Sequence, residues 1–66
     1  MNVALDNKIR ESGLKRKHIA AKMGITAYAL QMKIDGTTEF KASEIKNIAN
    51  ILGITDPADI DAIFFN

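Results

Sequence analysis

The chain has 66 residues, 47% of them apolar, and no cysteine. It can build one small core that neither disulfides nor thiolate metal sites reinforce, which points to a single domain over 1–66. Nine Lys plus Arg against eight Asp plus Glu leave a formal net charge of +1, which as a bulk number indicates no strongly acidic or basic partner.

Apolar spacing predicts helix throughout. Leu5 and Ile9 share a face of a first helix expected over roughly Val3 to Glu11, stopped by Ser12 and Gly13. A second helix is expected from Lys15 to Met23, with Ile19, Ala20 and Met23 at i, i+1 and i+4, and a break at Gly24, where the turn asks for positive φ. Thr26 is then an N-cap for a third helix through Ile34, closed by Asp35 and Gly36 and followed by a loop from Gly36 to Phe40. The clearest segment is Ala42 to Leu52, where Ile45, Ile48, Ala49 and Leu52 fall at i, i+3, i+4 and i+7 before Gly53 ends it. Lys41 is a poor N-cap for that helix, although Glu44 three positions on is what a capping box asks for. Asp56 and Pro57 open a last helix with Ile60, Ile63 and Phe64 on one side.

The expected architecture is therefore all-α, a compact bundle of about five short helices. The second and third helices, joined by so tight a turn, form a helix-turn-helix candidate. Ala20 supplies the small residue needed where their axes approach, and Ile19, Met23, Ile25 and Leu30 supply the apolar contacts between them.

The near-neutral total hides a division. From Met1 to Ile34 the bases Lys8, Arg10, Lys15, Arg16, Lys17, Lys22 and Lys33 face only Asp6 and Glu11, giving +5. From Asp35 onward, Lys41 and Lys46 face Asp35, Glu39, Glu44, Asp56, Asp59 and Asp61, giving −4. Such asymmetry points to nucleic-acid or anionic-surface binding by the basic half, against the plainer reading that scattered cations only solvate helix faces.

The run Gly13-Leu14-Lys15-Arg16-Lys17-His18-Ile19-Ala20-Ala21-Lys22-Met23-Gly24-Ile25-Thr26 resembles the helix-turn-helix of the Cro and C1-type phage repressors, the Xre family. Leu30 to Gly36, Glu39 to Ile45 and the Ile63-Phe64-Phe65 ending are similar to small Cro-like regulators of phages of Gram-positive bacteria, so the likeness covers about Leu5 to Phe65. It implies a lambda-repressor-like DNA-binding fold and a transcriptional regulator that occupies operator DNA and blocks transcription. Two positions depart from the family pattern. Arg16 stands where many members carry Gln, adding a full charge toward a phosphate. Lys33 stands where they carry an apolar residue, so that Ile34 must fill the core gap at the end of the third helix.

In that geometry the third helix enters the major groove. Ala27, Leu30 and Ile34 are expected to face the core, and Tyr28, Gln31 and Met32 to face outward together. Ala27, in the first turn, is counted with Tyr28, Gln31 and Met32 as a base-edge candidate. Gln31 is the best reader, because its amide can donate to and accept from adenine; Tyr28, Met32 and Ala29 suit a thymine methyl. The alternative for Tyr28 and Met32 is a place in the core or a protein interface. Phosphate contacts are expected from Arg16 and Lys17 at the start of the second helix, Thr26 at the start of the third, and Lys33, Thr37 and Thr38 beyond it. Lys15 and Lys22 are as well explained by solvation.

Family members pair on half-sites about 34 Å apart. Ile51, Ile63 and Phe65 are candidate contacts of a weak homodimer completed on DNA, with Ile60 and Phe64 assigned to the core. A competing reading is a modulator that binds a partner repressor; an antitoxin or excision-control role is a variant within DNA binding. No enzymatic activity, metal or cofactor is expected. His18 is a lone histidine without ligand spacing, no Gly-rich phosphate loop exists, and Asp56, Asp59 and Asp61 read as caps and solvated faces. Without a targeting or membrane segment, a cytoplasmic, nucleoid-associated protein is expected.

Overall fold

Helices form where the apolar spacing asks for them. In the computed structural model, which describes residues 1–65, α1 spans Val3–Ser12, α2 Arg16–Met23, α3 Ala27–Asp35, α4 Ala42–Leu52 and α5 Pro57–Phe64. No strand occurs among the described residues.

The ends of these helices follow from single side chains. Asn2 caps α1, its Oδ1 accepting the Leu5 N–H at 3.0 Å. Ser12 extends α1 one residue past the expected end, because its hydroxyl donates back to the Ile9 carbonyl at 2.6 Å and accepts the Leu14 N–H at 3.1 Å. Gly24 ends α2 with φ 72°. Its N–H reaches the Ala21 carbonyl at 3.1 Å while the Ile25 N–H reaches back to Ala20 at 3.0 Å, the paired bonds of a Schellman motif. A Cβ at Gly24 would meet nothing within 4 Å, so glycine is required there by its backbone angle and not by crowding.

Thr26 caps α3 through Oγ1, which accepts the Ala29 N–H at 3.0 Å. That helix runs to Asp35, one residue beyond Ile34. The Lys41 side chain has no acceptor to offer α4, and only half of a capping box forms: Glu44 Oε1 accepts the Lys41 N–H at 2.8 Å. Asp56 Oδ1 accepts the Ala58 N–H at 2.9 Å, and Pro57 opens α5.

The core takes Leu5 and Ile9 from α1, Ile19 and Ala20 from α2, Leu30 and Ile34 from α3, Ile45, Ile48 and Ala49 from α4, Ile54 from the following turn and Ile63 from α5. α2 packs on α3 and α4, while α1 packs on α4 and α5. Each fully buried Leu or Ile contributes about 1.5–3 kcal/mol relative to exposure, so α3 is anchored chiefly by Leu30 and Ile34. Ala27 does not join them and lies exposed, because Leu30 and Ile34 already cover the side of α3 that meets α2.

The expected dimer contacts divide. Ile63 is only 7% exposed and belongs to the core, contrary to expectation, because it is the residue of α5 turned inward against α1. Ile51 is half-buried and packed against the core, which removes most of its surface from any partner. Phe65 alone of the three is exposed, at 66%. Ile60 and Phe64 pack on the core as expected.

Two contacts join distant parts of the chain. The Asn2 N–H donates to the Ile34 carbonyl and its Nδ2 to the Ile63 carbonyl, both at 2.7 Å, tying the start of the chain to the last turns of α3 and α5. Phe40, in the loop before α4, meets Phe64 edge-to-face with centroids 5.4 Å apart.

Candidate nucleic-acid interface

α3 presents a surface that the core does not use. Tyr28 is 74% exposed, Ala27 is exposed beside it, and Gln31 and Met32 are half-buried. Tyr28 and Met32 therefore lie outside the hydrophobic core. Gln31 Nε2 donates to Asp35 Oδ1 at 3.0 Å, which orients the amide and leaves its carbonyl and one N–H free. That carboxylate also places a negative charge at the far end of the surface.

Around α3 the expected phosphate contacts separate into free and committed groups. Lys17 is exposed near the start of α2, between exposed Lys15 and His18 on either side in the helix's first turn and N-cap. α2 is also without a side-chain cap on its first amides, unlike α1, α3 and α5. Thr26 is exposed; its oxygen is engaged as the cap, and its hydroxyl proton remains to donate. Thr37 and Thr38 are exposed, with their backbone N–H groups turned to the Met32 carbonyl at 2.9 and 3.4 Å.

Arg16 differs from expectation. Its Nη2 donates to Asp6 Oδ1, while Arg10 Nε donates to Asp6 Oδ2 at 2.9 Å. The carboxylate gripped by these two arginines is 7% exposed. The hydrogen bond from Arg16 holds the Asp6 carboxyl below its ordinary value, against the opposing effect of burial, and the charge of Arg10 adds to the depression. Arg16 is thus held by an internal partner, and one of its terminal nitrogens is buried with no hydrogen-bond partner among the described residues.

Lys33 is the second correction. Its ammonium lies 3.0 Å from Glu44 Oε1 and 3.1 Å from the Glu39 carbonyl, and 5.9 Å from the centroid of the Phe40 ring. At 12% side-chain exposure it is a strut between α3, the loop and α4, and it is withdrawn from any phosphate. A lysine at this position is accommodated because the side chain lies along Phe40 while Ile34 fills the core. The Glu44 carboxyl is held below its ordinary value first by the Lys41 N–H, then by Lys33, with burial opposing.

Asp6, Asn2 and Glu44's partner Lys33 carry structural roles that sequence spacing left unassigned. Asp6 and Arg10 stand at i, i+4, the spacing of a helical ion pair, but nothing local marks Arg16 as their third member. No acidic residue occurs between Ser12 and Ile34, so the surface of α2 and most of α3 carries Lys15, Lys17 and Lys22 without opposing charge. Among the described residues no cluster of three or more His, Cys, Asp or Glu could hold a metal ion. No described helix is long and apolar enough to cross a membrane. No family model and no curated protein matches this chain.

Proposed function

We propose that this protein is a sequence-specific duplex DNA-binding transcriptional regulator of the Cro and C1 repressor type that its sequence resembles, with α2 and α3 as its helix-turn-helix. α3 lies in the major groove, Tyr28, Gln31, Met32 and Ala27 meet base edges, and Lys17, Thr26, Thr37 and Thr38 meet phosphates. Occupying its site blocks transcription. The observation that supports this reading best is the outward side of α3: an exposed tyrosine and an oriented glutamine that folding does not need, next to a helix whose charges are all positive.

One such module gains specificity by pairing on adjacent half-sites, and Phe65 is the expected dimer residue whose side chain is free for that contact. The competing reading, a modulator that binds a partner repressor, is favoured by one observation. Met1, Val3 and Phe65 are large exposed apolar side chains at the two chain ends that Asn2 holds together. Selection of bound sequences from random duplex DNA, followed by a salt titration, separates the two. The regulator gives a recovered consensus and a log affinity that falls with log salt by about 0.9 per phosphate neutralised. No consensus and no salt-dependent binding would leave the modulator reading.

A further inference from the structure

The Arg10–Asp6–Arg16 cluster carries more charge than its burial explains. One guanidinium would neutralise Asp6. Arg16, the less exposed of the two at 31% against 74%, already does so from the first turn of α2. Arg10 adds a second positive charge, and it reaches Asp6 through Nε alone. Its two terminal nitrogens have no partner among the described residues, and the guanidinium is fixed at its base and open at its fork. An arginine can hold one acceptor at Nε while its terminal nitrogens extend past it to another; a lysine's compact ammonium, drawn to Asp6, has no fork to extend beyond it.

We propose that Arg10 is a DNA-phosphate contact and that Asp6 is its positioning residue. This rests on the duplex-binding reading above and adds to it a residue on α1, outside α2 and α3. The ligand is a phosphodiester of the duplex backbone, bound by the terminal nitrogens of Arg10, which the carboxylate it shares with Arg16 ties to the first turn of α2. Asp6 orients the fork and leaves the cluster with a net charge of +1, since two cations share one anion. The arrangement carries no base preference, because a phosphate offers no sequence information.

The test is fluorescence anisotropy from 0.05 to 1 M salt on a selected duplex and on a random one, with thermal melts to establish folding. Arg10→Ala lowers the salt slope by about 0.9, which is roughly an eightfold loss at 0.1 M salt that fades toward 1 M, equally on both duplexes. Arg10→Lys keeps the charge but loses nearly as much, because its ammonium turns to Asp6. Adding Asp6→Asn to Arg10→Lys frees the lysine and restores the slope, whereas adding it to Arg10→Ala, which frees Arg16 alone, does not. An Arg10→Ala protein that binds with unchanged slope overturns the phosphate contact, and an Arg10→Lys protein equal to wild type overturns the positioning by Asp6. Absence of duplex binding by the wild-type protein overturns the regulator reading itself, so the two failures are distinct. Should Asp6→Asn melt early, the two single Arg10 variants, altered at a mostly exposed side chain, decide the question.

Discussion

α3 and α4 are neighbours of similar length whose outer sides differ in kind. α4 buries Ile45, Ile48 and Ala49 and turns Ser43, Lys46, Asn47 and Asn50 outward, residues whose only demand is water. α3 buries Leu30 and Ile34 and leaves outside the core an exposed tyrosine, a half-buried methionine and a half-buried glutamine already held by Asp35. The α4 side is accounted for by folding alone. The α3 side is not, and that surplus marks where recognition is to be sought.

The contrast is sharpest under substitution. Ile48→Ala removes a fully buried side chain and is expected to cost about 2–5 kcal/mol, whereas Tyr28→Ala changes stability by no more than about 0.5 kcal/mol. Denaturant melts of the pair measure this, and a large loss for Tyr28→Ala would return that residue to the core. Next in size, Gln31→Ala should lose about 1–3 kcal/mol of discrimination at one base pair. Competition between the selected duplex and its single-base variants reads it, and equal losses on selected and random DNA would remove Gln31 from base reading. Gly24→Ala should cost about 1–2 kcal/mol, the price of a Cβ in the left-handed region where no atom crowds it.

The helix boundaries were largely legible, and for local reasons. Ile45, Ile48, Ala49 and Leu52 with Gly53 define α4 from neighbours alone, and the Asp56–Pro57 start of α5 needs nothing distant. Ser12 extended α1 through a back-bond from its hydroxyl that spacing does not reveal. The errors in the candidate site are all tertiary. Arg16 meets an acid ten positions away and Lys33 one eleven positions away, so both read as free cations in a list of charges although folding had taken them. Ile63 looked surplus for the same reason: a stripe on α5 shows which residues align, not how deeply α1 covers them.

Those two internal pairs set the smallest expected effect, a response to acid. Asp6 and Glu44 both have lowered values in the fold, so their unfolded forms take up protons first as pH falls. Their contribution is complete at neutral pH and is lost as pH drops below about 4 and through the folded values. A denaturation midpoint followed from pH 7 to 2 should decline most steeply there, and Glu44→Gln should flatten part of the decline. A midpoint indifferent to acid would mean the pairs do not couple to folding.

The central claim is that the outward side of α3 meets duplex DNA. Amide NMR spectra recorded while a selected duplex is titrated into the labelled protein test it residue by residue. The largest shifts are predicted at Ala27, Tyr28, Gln31 and Met32, with Lys17 and Thr26 following and Lys46, Asn47 and Asn50 unmoved. Shifts gathered on α4 and α5, with α3 silent, would contradict it.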